Sequence, residues 1–475
     1  MMTYYFYDLE TSGFRARQAR IMQFAGQRTD TSLKPIGEPD NFLVKLTEDV
    51  LPEPDAVLVH GITPQTARAD GISEAEFARR LTRDIAKEDT VFIGFNNIRF
   101  DDEFIRFTLW RNFHDAYEWQ WQGHTSRWDL LDATRMTRAL RPAGIQWPFD
   151  AEGRPANRLE LLAAVNKLDH TVAHDALSDV RAMIALAQLL RRQQSKLFDY
   201  LLKLRDKNKV RALVEKGDPL VYSSGRYPAE FEKTTVAVIV APTEGNRGAL
   251  MYDLRVDPTP YLKLDAAELV SRWQDRSEEA EYFPVKKLGY SRCPAVAPLS
   301  VLDADSQQRL KLDLKLVQSN LKKLRAAKDF GEKLLAALEI MQPPSQTEMV
   351  IEQSQVDELL YEGFVSRADQ LKMGVVRAAD AETIAKLALD FEDERLKLLF
   401  PLYKARNFAK SLTSAEREAW ANFKHQKLLQ GSEQGTLAGY LKRIEELAKR
   451  PNLSAHDKHL LKELELYGQA LGPVE

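Results

Sequence analysis

The sequence contains almost no cysteine and no long apolar run. Its single cysteine, Cys293, excludes an internal disulfide and any zinc cluster made of several thiolates. No apolar stretch approaches the ~18 residues that a membrane-spanning helix requires, so no membrane partner is expected. The first ten residues lack a basic segment and contain two acidic residues. We therefore expect no signal peptide and a cytoplasmic protein.

The chain also has little net charge. A formal value of −3 argues at first against a nucleic-acid partner. Binding depends on the local field, however, and the charges are segregated along the chain. Residues 309–333 contain eight lysines and arginines against three acidic residues, whereas the last third of the chain is rich in acidic residues. The basic segment indicates either an anion-binding surface or an ordinary solvated helix face.

The first part of the chain mixes strand and helix patterns, and 475 residues are enough for two or three domains. Residues 3–29 predict two strands and residues 41–46 a third, in an antiparallel meander, because turn residues separate them. A further strand at 91–96 is followed by helices near Asp102–Arg111 and His174–Arg192. This order is typical of an α/β sheet covered by helices.

The rest of the chain divides into two further regions. Runs typical of strands, broken by Gly, Pro and Asn, fill residues 200–300 and predict a small barrel or sandwich-like domain. One long basic helix is expected to continue to about Ile340, and MQPPSQTE at 341–348 is typical of a linker. Leucine-rich periodic segments then predict an all-helical region. We place the domain bounds at 1–193, 194–345 and 346–475.

Two acidic residues interrupt the first apolar strand. Asp8 and Glu10 are two positions apart in a segment that is otherwise tyrosine, phenylalanine and leucine. Because side chains alternate along a strand, both carboxylates lie on one face near its carboxyl end. Two like charges on a half-buried surface disfavour folding unless a positive charge lies between them. The pair predicts a divalent metal site, and a strand end that turns into solvent is the alternative.

Two further acidic residues stand at the ends of predicted elements. Asp101 follows a strand and opens a helix, where it could act as a helix cap or as a metal ligand. Asp179 shares a helix face with Ala176 and Met183, and a carboxylate in an apolar stripe is costly without a partner. His174 lies five positions before Asp179, at the start of the same helix.

The order of these residues is more specific than any of them alone. Asp-x-Glu, then Phe-Asp at a helix start, then a histidine five positions before an aspartate resembles the motifs of the DEDD exonucleases, in their histidine-bearing branch. Carboxylate ligands without cysteine favour Mg²⁺ or Mn²⁺. Two such ions about 3.5–4 Å apart can hold the attacking water and the leaving oxygen in line across a phosphodiester. A histidine is suited to accept the proton of that water near neutral pH.

Other segments extend the resemblance over the whole chain. They are similar to segments of bacterial exonuclease I and comprise HGITPQTA at 60–67, FIGFNNIRFDDEF at 92–104, SRWDLLDATR at 126–135, FDYLLKLRDKNKVRAL at 198–213, KKLGYSRCPAVAP at 286–298 and LLFPLYKARNF at 398–408. The resemblance implies an α/β ribonuclease-H-like nuclease domain, a small SH3-like β domain and an all-helical C-terminal domain, which form a C shape around the substrate. It implies processive 3'→5' hydrolysis of single-stranded DNA to 5'-mononucleotides by a two-metal mechanism, in DNA repair and recombination.

The resemblance also assigns roles to the acidic residues and the histidine. It implies two Mg²⁺ ions, which Mn²⁺ can replace, with ligands at Asp8, Glu10, Asp101 and Asp179. His174 becomes the general base. Asp101 is preferred to Asp102, because the ligand of the family directly follows the phenylalanine of its N-x-x-F-D motif.

Aromatic and basic residues that could bind the substrate are concentrated between Arg106 and Arg158. Five of the seven tryptophans lie within 38 positions and are interleaved with arginines, as a sequence-tolerant single-strand groove requires. Packing in the core is an equally good interpretation of each tryptophan. The resemblance implies DNA contacts from Glu10, Arg106, Tyr117, Trp121, Arg135, Arg141 and Arg158, the last near the terminal nucleotide.

The resemblance further implies a protein partner and a monomeric state. The partner is the acidic, phenylalanine-ended tail of single-strand binding protein, for which the basic residues at 309–333 are suited. Two alternatives remain open. An RNase T-like or proofreading exonuclease usually consists of the nuclease domain alone, whereas a non-catalytic single-strand-binding module has no need of all five catalytic positions.

Overall fold

The computed structural model describes residues 1–168, 175–277, 281–342, 352–430 and 435–471. The N-terminal domain is built on a five-stranded sheet of order β3-β2-β1-β4-β5. Its strands are β1 (Thr3–Thr11), β2 (Ile21–Thr29), β3 (Asp40–Leu43), β4 (Thr90–Gly94) and β5 (Ser126–Asp129). β1, β2 and β3 are antiparallel, which confirms the predicted meander, and β4 and β5 run parallel to β1.

Helices cover both faces of this sheet. The helices of the N-terminal domain are α1 (Pro54–His60), α2 (Pro64–Asp70), α3 (Glu74–Arg80), α4 (Asp101–Arg111), α5 (Leu130–Leu140), α6 (Leu159–Val165) and α7 (Ala176–Gln193). Alternation along β1 directs its side chains to two cores. Tyr4 and Phe6 pack in the cluster that contains residues of α5, α6 and α7, whereas Tyr5, Tyr7 and Leu9 pack with residues of α3 and α4. Asp8 and Glu10 continue the face of Tyr4 and Phe6 and therefore point towards α7.

A second five-stranded sheet, entirely antiparallel, forms the β domain, as predicted. Its strand order is β10-β6-β7-β8-β9, with β6 (Leu220–Ser223), β7 (Thr234–Pro242), β8 (Gly248–Asp253), β9 (Val285–Gly289) and β10 (Ala295–Pro298). The helices that precede or accompany it are α8 (Ser195–Lys203), α9 (Lys207–Val214), α10 (Thr259–Leu262) and α11 (Ala266–Gln274).

The prediction of a single long basic helix that continues to about residue 340 is wrong. Three helices occupy this stretch, namely α12 (Ala304–Arg309), α13 (Leu314–Ala326) and α14 (Phe330–Met341). The first break follows from local chemistry. Lys311 has a positive φ of 50°, and the Asp313 carboxylate accepts the backbone N–H groups of Lys315 and Leu316, which caps the start of α13.

The C-terminal region is helical, as predicted. After a 3₁₀ segment (Gln353–Tyr361) it contains α15 (Arg367–Ala378), α16 (Ala381–Lys386), α17 (Glu394–Asn407), α18 (Ser414–Gln430), α19 (Leu437–Ala448) and α20 (Ala455–Leu471). Apolar residues of α17, among them Leu396 and Leu399, share a core with Phe107 and Trp110 of α4. Across the described ranges, no helix combines the length and the apolar character that crossing a membrane requires.

Buried charges also join the helical domain to the N-terminal domain. Arg20 at the start of β2 is 1% exposed and pairs with Asp357 at 2.6 Å. Arg406 of α17 pairs with both Asp49 and Asp357 at 2.7 Å. Removing one member of such a network would leave a buried charge uncompensated, which is strongly destabilising. The helical domain is therefore fixed against the strand that pairs with β1.

Candidate active site

Three of the predicted ligands converge at one point of the N-terminal domain. Asp8 and Glu10 at the carboxyl end of β1 and Asp179 in the first turn of α7 each offer a carboxylate oxygen, and these oxygens lie within 4.8 Å of one another. The convergence follows from the register of β1, whose inner face turns both acidic side chains towards α7. Oxygen ligands at this spacing suit a hard divalent cation.

The electrostatics of the cluster favour a bound cation. Burial raises the pKa of Asp8 well above its ordinary value, and Asp101, Glu10 and Asp179 raise it further. Burial also raises the pKa of Glu10 to about 9, with added contributions from Asp179 and Asp101. Each carboxylate thus makes ionisation of the others harder. A divalent ion would remove that penalty and keep all of them ionised.

Asp101 stands beside this cluster at the first position of α4. It is not part of the three-residue group, but it raises the pKa of both Asp8 and Glu10, and its own pKa is raised to about 8 by burial and by Asp102. Asp102 is engaged elsewhere, because its carboxylate accepts the Tyr7 hydroxyl and forms an ion pair with the Arg127 guanidinium. These contacts support the choice of Asp101 over Asp102 as a ligand.

Two other residues bear on the predicted catalytic set. His174 lies outside the described residues. Asp175, which sequence reasoning missed, caps α7 by accepting the backbone N–H of Ser178 at 3.1 Å, and Gln23 of β2 donates to it at the same distance. Its charge contributes to the raised pKa values of Asp8 and Glu10. The signal that could have revealed it is an aspartate immediately before a helix, three positions ahead of a serine.

A cavity of about 400 Å³ opens beside the carboxylates. Asp8 and Asp179 line it together with three cationic residues, Arg135, Arg158 and Lys233. Arg135 of α5 pairs with Asp132 at 2.6 Å, and Arg158 pairs with Glu160 at 3.1 Å. Two of the predicted DNA contacts, Arg135 and Arg158, therefore lie next to the predicted ligands, whereas Lys233 was not predicted.

A second cavity, of about 710 Å³, lies where the three domains meet. Its lining includes Phe14 and Arg106 of the N-terminal domain, Arg292 of the β domain and Tyr361 of the helical domain. Arg106 pairs with Glu103 at 2.5 Å, and its guanidinium carbon lies 5.4 Å from the ring centroid of Tyr117. A cleft of cations and aromatic rings is suited to hold single-stranded nucleic acid.

The remaining predicted DNA contacts line neither cavity. Tyr117 is 39% exposed and Trp121 is 61% exposed, so both rings are accessible for stacking. Arg141 pairs with Asp303 at 3.2 Å and donates to the carbonyl of Val301 at 2.8 Å, so it fastens the N-terminal domain to the β domain. Among the other tryptophans, three are at most 2% exposed and belong to the core, namely Trp110, Trp119 and Trp128.

The carboxylate cluster should destabilise the metal-free protein. Burial raises the pKa of Glu10 from 4.5 to about 9, so the protein loses stability as the pH rises between these two values. Glu10→Gln should therefore raise the melting temperature in a chelator by a few degrees near pH 9 and leave it almost unchanged near pH 5. Thermal unfolding followed by circular dichroism checks this. A gain of the same size at both pH values would contradict the assignment.

Comparison with known families accounts for all three regions of the chain. A model described as an exonuclease family matches residues 5–187, the exonuclease I SH3-like domain matches residues 205–339, and the exonuclease I C-terminal domain matches residues 354–471. The matches follow the order of the α/β sheet, the antiparallel sheet and the helical region.

Individual relatives are similar over nearly the whole chain. Exodeoxyribonuclease I of Haemophilus influenzae is 39% identical over 434 residues, which cover 90% of each chain. The Escherichia coli enzyme is also 39% identical, over 431 residues and 89% of each chain. The crystal structure of E. coli exonuclease I in complex with a dA16 oligonucleotide superposes with a TM-score of 0.93 at 37% identity, and covers 99% of this chain and all of that one. An exonuclease I from Methylocaldum szegediense gives a TM-score of 0.92 at 38% identity, with the same coverage.

Proposed function

Because the chain belongs to the exonuclease I family, we propose that it hydrolyses single-stranded DNA processively from the 3' end and releases 5'-mononucleotides. The observation that carries this proposal is that Asp8, Glu10 and Asp179 meet beside a cavity lined by the cationic residues Arg135, Arg158 and Lys233. A carboxylate cluster next to a cationic wall suits a phosphodiester, whose charge needs neutralising while its bond is broken.

The donor set fits divalent metal ions, which membership of the exonuclease family implies. We propose Mg²⁺ in the cell, with Asp8, Glu10 and Asp179 as ligands and Asp101 completing the set. When bound, the metal would polarise the phosphodiester and lower the pKa of an attacking water. His174 would accept the proton of that water. Gln23 and Ser178 hold Asp175 in place beside the cluster.

Two ion pairs with one carboxylate connect the two cavities. Arg99 lines the larger cavity and pairs with Asp132 at 2.7 Å, while Arg135 pairs with the same carboxylate at 2.6 Å and lines the smaller cavity. Asp132 thus pairs with one arginine from the lining of each cavity. We propose that the DNA backbone runs from the junction of the three domains along this pair to Arg158, next to the carboxylates.

Further roles follow as proposals from the family. A solved structure described as single-strand binding protein with exonuclease I suggests the same partner for this chain. The residues suited to its acidic tail lie in the basic stretch at 309–333, which α12, α13 and α14 occupy. We also propose a monomer that acts in cytoplasmic DNA repair and recombination, with domain bounds near residues 193 and 345.

Degradation of labelled oligonucleotides tests the proposed function. With Mg²⁺, a single-stranded DNA labelled at its 5' end should shorten progressively from the 3' end, and a chelator should stop the reaction. Blocking the 3' hydroxyl should protect the strand if the attack begins there. Faster cleavage of the RNA version would favour an RNase T-like enzyme, and tight binding without cleavage in Mg²⁺ or in Mn²⁺ would favour a non-catalytic module.

A further inference from the structure

The loop between β6 and β7 reaches from the β domain to the cavity beside the carboxylates. It spans residues 224–233, between strands that end at Ser223 and begin at Thr234. Its last residue, Lys233, lines the cavity that contains Asp8 and Asp179. Lys233 is the one described lining residue that the N-terminal domain does not supply. The second domain therefore contributes a side chain to the cavity beside the predicted ligands.

The loop is held in a fixed conformation. The backbone N–H of Ser224 donates to the Lys233 carbonyl at 2.9 Å, and the N–H of Lys233 donates to the Pro228 carbonyl at 3.1 Å. Glu232 and Lys233 both have positive φ angles, of 53° and 54°. Such angles are costly for residues other than glycine and persist where surrounding contacts enforce them. The position of Lys233 is thus determined by the fold.

Two contacts with α5 place the loop against the cavity wall. The Glu232 carboxylate pairs with Arg138 at 2.7 Å. Gly225 lies so close to Arg135 that a Cβ atom there would be 3.0 Å from a guanidinium nitrogen. The loop therefore packs directly on the arginine that lines the same cavity.

The ammonium group of Lys233 differs from the other two cations of the cavity. Arg135 and Arg158 each have a carboxylate partner, Asp132 and Glu160. Lys233 is half-buried, and over the described ranges its Nζ atom forms neither a hydrogen bond nor an ion pair. A partly buried cation without a partner is costly, so this position favours an anionic ligand.

We propose that Lys233 binds a phosphate group of the DNA strand next to the carboxylate cluster, so that the β domain supplies a substrate-binding residue to the active site. This inference rests on the proposed function. A lysine ammonium is a compact charge with three donors, which suits a phosphate that moves by one nucleotide in each cycle. The N-terminal domain alone would then lack one of the cations that hold the end of the strand.

Steady-state kinetics of the full-length protein on a short single-stranded oligonucleotide tests this role. Lys233→Ala should lower kcat/KM by about 10- to 100-fold, the range for a hydrogen bond to a charged group. The log–log salt dependence of binding, measured by fluorescence anisotropy in a chelator, should become less steep by about 0.7, because one phosphate contact is lost. Lys233→Arg should recover most of the activity. Lys263→Ala, which removes an exposed lysine of the same domain outside the two cavities, should match the wild type.

The possible outcomes separate this inference from the proposed function. If the wild-type and Lys263→Ala proteins degrade DNA and Lys233→Ala does so within twofold, Lys233 does not bind the substrate. If Lys233→Ala and Lys233→Arg lose activity equally, unfold at a lower temperature and keep the wild-type salt dependence, the residue is structural and the inference fails. If the wild type does not degrade DNA, the proposed function fails, and the anisotropy measurement alone decides whether Lys233 contacts the strand.

Discussion

Replacing Asp8 by alanine should reduce DNA cleavage by about 10³-fold or more while the protein still folds and still binds single-stranded DNA. Asp8, Glu10 and Asp179 offer carboxylate oxygens within 4.8 Å of one another, and burial raises the pKa of Asp8. A metal that supplies several kcal/mol to the transition state accounts for a loss of this size, since about 1.4 kcal/mol corresponds to tenfold in rate. The same loss is expected for Asp179→Ala.

The measurement combines activity, metal binding and folding. Single-turnover cleavage gives the rate, calorimetric titration with Mn²⁺ gives the metal affinity, and circular dichroism gives the melting temperature. Asp70→Asn is a control, because it removes an exposed carboxylate of the same domain that lies outside the group of three and outside both cavities. It should keep cleavage within a few-fold of the wild type. A folded Asp8→Ala protein with wild-type turnover would contradict the assignment of the site.

The local pattern of the sequence was sufficient to predict the first sheet and the acidic residues at the carboxyl end of β1. Period two in β1 alone placed Asp8 and Glu10 on one face, and period 3.6 placed Asp179 on the inner face of α7. The structure brings these three together because β1 and α7 share a core through Phe6 and Val180. Choosing Asp101 over its neighbour depended on the family motif, since both residues open the same helix and both are buried.

Features that depend on distant parts of the chain could not be predicted. Arg20 and Asp357 form a buried pair although 337 positions separate them. Nothing local in the segment around Lys233 indicates that its loop crosses to another domain. The basic stretch at 309–333 gave a wrong prediction, because its helical composition concealed the end of α12 at Arg309 and the cap at Asp313 that begins α13. Tertiary contacts and single capping residues decide such cases.

The second large effect concerns His174, which we propose as the general base on the resemblance of His-x4-Asp to the family motif. His174→Ala should lower kcat by about 10²–10⁴-fold, the usual contribution of a general base. Its Mn²⁺ affinity should remain that of the wild type, because the carboxylates of Asp8, Glu10 and Asp179 would hold the metal. We expect kcat to fall without a change in Mn²⁺ affinity because the histidine would accept the proton of the water, whereas the carboxylates would bind the metal ions.

The pH dependence gives this prediction a readout that a structural role for His174 would not reproduce. In the wild type, kcat should rise with pH in a single inflection, as the base loses its proton. His174→Ala should lose that inflection, and a small amine base added to the solution should restore part of the rate. His170→Ala is the matched control, because it removes a histidine four positions earlier in the chain and should leave kcat and the inflection in place. If His174→Ala abolished Mn²⁺ binding, the histidine would be a metal ligand and the proposed division of roles would be wrong.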